Sequence, residues 1–306
     1  MPFLLSRRLS APGLLAAFCL LTGPMRGVQG VPPADSTAPA TTSGQGTQIA
    51  LAALVAAVAQ SPLQAVEPAI ASVDARTQAV KSALTPKLKV EVLMIGDSMS
   101  VGGFGDSFQT YLNRRYGSAR WALYASCGSS PESWLRSEPD YVTKCGFKAI
   151  TPKKTYYTDF NEHGKPTPTP TPKIETLLEF HQPSIVIVQL GTNWMDGLEH
   201  RDFNAERPKY TAIMDKFAAA LKNAKSVKRV IWITPPDSSR YSVQTERNVD
   251  VILRAAAKQY GYSVVNSASM THYIAGKTGG DGVHYRKEDA YAWAESVQQD
   301  LRTKLR

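Results

Sequence analysis

From residue 87 onwards the chain alternates short apolar runs with amphipathic stretches. Five runs, at residues 90–95, 121–125, 185–190, 230–234 and 262–265, are of strand length and mainly apolar. That is the pattern of strands buried on both faces. Helix-like stretches lie between them, near residues 104–116, 173–181, 207–224 and 244–260, and a last one covers 287–306. Strand–helix alternation requires crossover connections, so it predicts a three-layer α/β/α domain with a five-stranded parallel sheet. The stretch 126–172, ending in the stiff repeat PTPTPTP, carries neither pattern. It reads as a long irregular loop of the kind that covers or shapes a site.

The first 86 residues read differently. Arg7 and Arg8 precede the apolar stretch 11–23, and small residues such as Gly30 follow, which predicts an export signal over residues 1–30. The apolar stretch is too short and too interrupted for a stable membrane span. Residues 31–47 are Pro, Ser, Thr, Ala and Gly in the main and predict a flexible linker. Residues 48–86 are alanine-rich, with Leu51, Leu54, Val55 and Val58 on one helical face and a break near Ser61-Pro62. They predict a helical segment that either packs on the main domain or serves as a spacer. The domain that carries the chemistry is then 87–306.

Charge and cysteines narrow the surroundings. Loss of residues 1–30 removes Arg7, Arg8 and Arg26 and no acid, so the net charge falls from +9 to +6. A modestly basic exported protein is drawn to anionic glycans or membrane surfaces. No clustered basic helix, RNA-binding signature or zinc-finger spacing points to nucleic acid. Cys127 and Cys145 are the two cysteines left after export. A close pair in an oxidising compartment predicts a disulfide, whose loop closure contributes roughly 3 kcal/mol.

In an open parallel sheet, ligands bind at the carboxyl ends of the strands, and there the candidate chemistry collects. Gly96-Asp97-Ser98 follows the first run, Ser126-Cys127-Gly128 the second and Gly191-Thr192-Asn193 the third. Asp281-Gly282-Val283-His284 precedes the last helix. A serine hydroxyl attacks only if a base takes its proton. Histidine serves near neutral pH, and a carboxylate on its other ring nitrogen fixes the tautomer. Ser98, His284 and Asp281 fit those three roles. The amides of Ser98 and Gly128 and the side-chain amide of Asn193 are the available donors for an oxyanion. The second Gly-Asp-Ser, at Gly105-Asp106-Ser107, follows no strand and reads as coincidence.

Taken singly, each of these is bland: a turn, surface polarity, a loop asparagine capping its own backbone. Together, GDSMS at 96–100, the Gly128 turn, GTN at 191–193 and DGVH at 281–284 resemble, in order, the four blocks of the SGNH (GDSL-type) hydrolases. The likeness covers roughly residues 88–306, with Met99 where the commonest first motif has leucine. It implies a flavodoxin-like sandwich, a Ser98–His284–Asp281 triad, and an oxyanion hole of Ser98, Gly128 and Asn193. It implies no cofactor, and no histidine has metal-ligand spacing with another His or Cys.

The run 172–194 looks like SGNH members acting on acetylated cell-wall or extracellular glycans. The expected substrate is therefore an O-acetylated polysaccharide, peptidoglycan foremost, met in the periplasm or outside the cell. A lipase, lysophospholipase or thioesterase, a polysaccharide acetyltransferase, and a non-catalytic glycan-binding scaffold are the alternatives. The intact Ser98, Asp281 and His284 argue against the last. Trp194, Met195, Tyr285 and Arg240 are the expected substrate contacts, with packing residues or a solvated arginine the bland readings. The sequence names no protein partner.

Overall fold

The computed structural model describes residues 87–136, 141–143, 145–158 and 164–305. The expected export signal (1–30), linker (31–47) and alanine-rich segment (48–86) lie outside the described residues, as does His163.

The first half runs β1 (Val92–Gly96), α1 (Ser98–Val101), α2 (Gly103–Tyr116), β2 (Trp121–Ser126), β3 (Phe147–Ile150), β4 (Thr155–Tyr157) and α3 (Ile174–His181). The second runs β5 (Ile185–Gln189), α4 (Met195–Leu198), α5 (Phe203–Asn223), β6 (Arg229–Ile233), α6 (Val243–Tyr260), β7 (Ser263–Val265) and α7 (Lys287–Lys304). One sheet takes all seven strands in the order β4-β3-β2-β1-β5-β6-β7.

Every apolar run expected to be a strand is one, and these five pair in parallel. Counted among themselves their order is 2-1-3-4-5, the flavodoxin-like arrangement. The expected five-stranded, all-parallel sheet needs one correction. β3 and β4, inside the stretch expected to be irregular, add antiparallel at the β2 edge and make the sheet seven-stranded and mixed. They are four and three residues long, and β4 is half exposed. An edge pair of that length lacks the buried apolar run that betrays a central strand.

Alternation within β1 divides the core. Leu93 and Ile95 pack on one face with residues of α3, α5 and α6, while Val92 and Met94 pack on the other with α2 and α7. Both faces are covered, which is why β1 is apolar throughout. Truncating Leu93 or Ile95 to alanine would cost about 2–5 kcal/mol. Two of these helices, α5 and α6, start at side-chain caps: Asp202 accepts from Asn204 N at 2.9 Å, and Ser242 accepts from Thr245 N at 3.3 Å.

The chain leaves β1 for β2 on one side and later sets β5 on the other. This change of direction opens a crevice at the carboxyl end of β1. The Pro-Thr repeat borders the same edge. Thr143 N donates to Thr169 O and Thr171 N to Tyr141 O, at 2.9 and 2.8 Å.

Candidate active site

Ser98 is the first residue of α1, two positions past the end of β1. Asp97 fixes this turn, because its Oδ1 accepts the Met99 N–H at 3.0 Å. The Ser98 hydroxyl lies 2.8 Å from His284 Nε2. On the other side of the ring, Nδ1 lies 2.6 Å from Asp281 Oδ2. With Nδ1 donating to the carboxylate, the lone pair on Nε2 is left to accept the serine proton. Asp281 is doubly engaged, since its Oδ1 accepts the Val283 and His284 amides at 2.9 and 2.8 Å. Partial burial raises the Asp281 pKa, but these hydrogen bonds and the nearby imidazole outweigh it and hold the group down at about 2.

The two strands that flank β1 end beside it. Gly128, two residues past β2, takes φ +77°, a region that disfavours side chains. Its carbonyl accepts from Tyr141 Oη at 2.6 Å, and the preceding Cys127 N–H donates to Gly146 O at 2.9 Å. Cys127 and Cys145 are bonded, with Cα atoms 5.3 Å apart, so the turn is tied covalently to the start of β3. Asn193, in the turn after β5, donates from Nδ2 to Ser129 O at 2.8 Å and keeps its second amide proton. Among the described residues the Ser98 and Gly128 amides donate to no protein acceptor.

A buried polar group underlies the nucleophile. Asp97, Ser100, Gln189 and Thr192 are all at most 4% exposed. Ser100 Oγ donates to Gln189 Oε1 at 2.7 Å. Burial pushes the Asp97 carboxyl up to about 6, against the lowering effects of the Met99 amide, Gln189, Thr192 and His284.

The remaining expected residues differ in exposure. Trp194 and Met195 are 1% and 2% exposed and belong to the core, with Trp194 Nε1 donating to Glu132 at 2.8 Å. Tyr285 is half-buried, and its hydroxyl donates to Asp237 O at 2.7 Å. Arg240 is exposed and reaches Asp196 Oδ1 at 3.3 Å, an oxygen that also accepts from Tyr241 Oη at 2.8 Å.

Ser107 lies on the inner side of α2, 9% exposed, and accepts from Gln298 Nε2 at 3.1 Å. Its neighbour Asp106 accepts from Lys148 Nζ at 2.8 Å, a lysine whose side chain is 1% exposed. The second Gly-Asp-Ser therefore packs a helix and stays away from the site.

Sequence reading missed Tyr141, Ser238 and Tyr273, which hold the site's main chain and carry no local motif. Among the described residues no group of three His, Cys, Asp or Glu side chains is placed to hold a metal ion. A cavity of about 720 Å³, between α3 and α5, shares no lining residue with the Ser98 site. No described helix is long and apolar enough to cross a membrane.

No family model and no curated protein matches the chain. Solved structures do resemble it. One is a peptidoglycan O-acetylesterase, at 12% identity over 74% of this chain and 94% of the other, with a TM-score of 0.44. A carbohydrate acetylesterase from Sinorhizobium meliloti is similar at 14% identity over 71% and 100%, with a TM-score of 0.45. A lipase/acylhydrolase from Enterococcus faecalis reaches 12% over 70% and 96%, with a TM-score of 0.43. At these values the likenesses assign no activity, substrate or residue role to this chain.

Proposed function

We propose that this chain is a serine ester hydrolase of the SGNH type. The observation that carries the reading is the continuous hydrogen-bonded line from Ser98 through His284 to Asp281. It stands beside three donors, the Ser98 and Gly128 amides and Asn193 Nδ2. The Ser98 hydroxyl attacks an ester carbonyl as His284 Nε2 takes its proton. Asp281 stabilises the imidazolium while the donors hold the tetrahedral oxyanion. The leaving alcohol recovers the proton from Nε2. Water then attacks the acyl-serine by the reverse proton route, and the acid is released.

The substrate we infer is an O-acetylated polysaccharide of the cell wall or extracellular matrix, with peptidoglycan foremost. The His284 and Asp281 side chains are about half exposed, at 48% and 52%. An exposed His284–Asp281 pair suits a short acyl group on a polymer better than a long chain that must be sheltered from water. The Cys127–Cys145 bond fits an exported enzyme.

Acetate release from O-acetylated peptidoglycan and from acetyl-xylan tests this, using residues 31–306 beside Ser98→Ala and Ser107→Ala. Release by the parent and by Ser107→Ala, with none by Ser98→Ala, is the expected result. Cleavage of long-chain esters without acetate release would replace the glycan by a lipid substrate. Silence on every ester would overturn the hydrolase reading.

A further inference from the structure

The Asp281 and His284 side chains are about half exposed, so packing alone does not hold their rotamers. The main chain between them must do so, and it is gripped at Gly282. The Gly282 N–H donates to Tyr273 Oη at 3.0 Å. Its carbonyl accepts three donors: Ser238 Oγ at 2.7 Å, and the amides of Ser239 and Arg240 at 3.0 and 3.3 Å.

Tyr273 is 5% exposed, and its hydroxyl also donates to His284 O at 3.3 Å, so one phenol spans both halves of the turn. The fit is close. Gly282 has φ +84°, and a Cβ there would come within 2.8 Å of Arg240 Cβ. The grip is itself anchored to the loop after β6 and to the first turn of α6. Asp237 Oδ2 accepts the Tyr273 N–H at 2.6 Å, and Glu246 Oε1 accepts the Ser238 N–H at 2.9 Å.

We propose that Tyr273 and Ser238 are positioning residues of the reaction, clamping Gly282 so that Asp281 and His284 are aligned on Ser98 before substrate arrives. The proposal rests on the hydrolase reading for its kinetic consequence and on the hydrogen bonds alone for its structural one. Misplacing a reacting group by a fraction of an ångström lowers kcat more than it weakens binding.

The experiment compares Tyr273→Phe and Ser238→Ala with Tyr262→Phe. That last change removes another partly buried phenol hydrogen bond, to Ala218 O, remote from the site. Three quantities are read: the thermal midpoint, kcat and KM on an aryl acetate, and the downfield proton resonance of His284 Nδ1–H in the free protein. The expected result is a kcat about tenfold lower at nearly unchanged KM for both clamp variants, with the Nδ1 proton shifted or broadened. Tyr262→Phe should lower the midpoint and leave kcat and the resonance in place.

Clamp variants with parental kcat and an unmoved resonance would overturn the proposal, whatever their stability. A parent that cleaves no ester would instead remove the hydrolase reading, and the resonance alone would then decide the clamp. If Tyr273→Phe fails to fold, Ser238→Ala carries the same test from the opposite side of Gly282.

Discussion

His284 Nε2 lies 2.8 Å from Ser98 Oγ, although 186 residues separate them in sequence. β1 and the last loop before α7 bring them together at one end of the sheet. Asp281, three residues from His284, completes the line within a single turn.

Asp281→Asn keeps the shape of that turn but removes the charge and favours the wrong imidazole tautomer. We expect kcat to fall roughly 10³–10⁴-fold, with little loss of fold, measured on an aryl acetate and by circular dichroism. Because Asp281 is held at about 2, it stays ionised well below the range in which enzymes of this chemistry are assayed. Loss of activity on mild acidification should therefore not report protonation of Asp281.

The Cys127–Cys145 bond holds the turn that presents the Gly128 amide. Cys145→Ser should lower stability by roughly 3 kcal/mol in denaturant titrations, as expected for a loop of this size. It should also lower kcat more than it raises KM, because a freed Gly128 turn weakens the oxyanion contact rather than substrate binding. A variant that loses stability at unchanged kcat would detach the bond from the chemistry.

The parallel strands were readable because the inner ones, such as β1, are buried on both faces and so are largely apolar. The pair β3 and β4 was not, since short edge strands such as Thr155–Tyr157 are selected by their partner and not by a pattern of their own. Ser98, Asn193, Asp281 and His284 stand in short motifs that the sequence displays, and Ser98 and Asp281 each lie within hydrogen-bond distance of His284. Tyr273 and Ser238 act on a carbonyl and an amide of distant Gly282, and a hydrogen bond to main chain leaves no mark on the sequence of its partner. Trp194 and Met195 misled by adjacency to Asn193. The 3₁₀ turn Thr192–Trp194 and the start of α4 direct them into the core.

Glu246 links stability to pH. Burial, followed by the charge of Asp237, raises its carboxyl from an ordinary 4.5 to about 7, against the Ser238 hydrogen bond. The folded protein therefore holds a proton there that the unfolded chain gives up. Its contribution is fully present below pH 4.5 and is lost as pH rises to about 7. Glu246→Gln keeps an acceptor for Ser238 and removes the titration. Thermal midpoints across that window should fall less steeply with pH in Glu246→Gln than in the parent; parallel curves would exclude Glu246 as a source of the slope.

Asp106 belongs to the second Gly-Asp-Ser and pairs with Lys148, whose side chain is 1% exposed. Asp106→Ala leaves that ammonium buried without its carboxylate, which should cost about 1–3 kcal/mol. The urea midpoint should drop accordingly. The folded fraction should keep its ability to react at Ser98, which separates the structural motif from the catalytic one.

The most direct test of the central claim is peptide mass mapping after treatment with a fluorophosphonate, which bonds only to an activated serine. The expected result is a single adduct on the peptide containing Ser98, absent from His284→Ala and present in Ser107→Ala. An adduct on Ser107, or no adduct on a folded parent protein, would contradict the account.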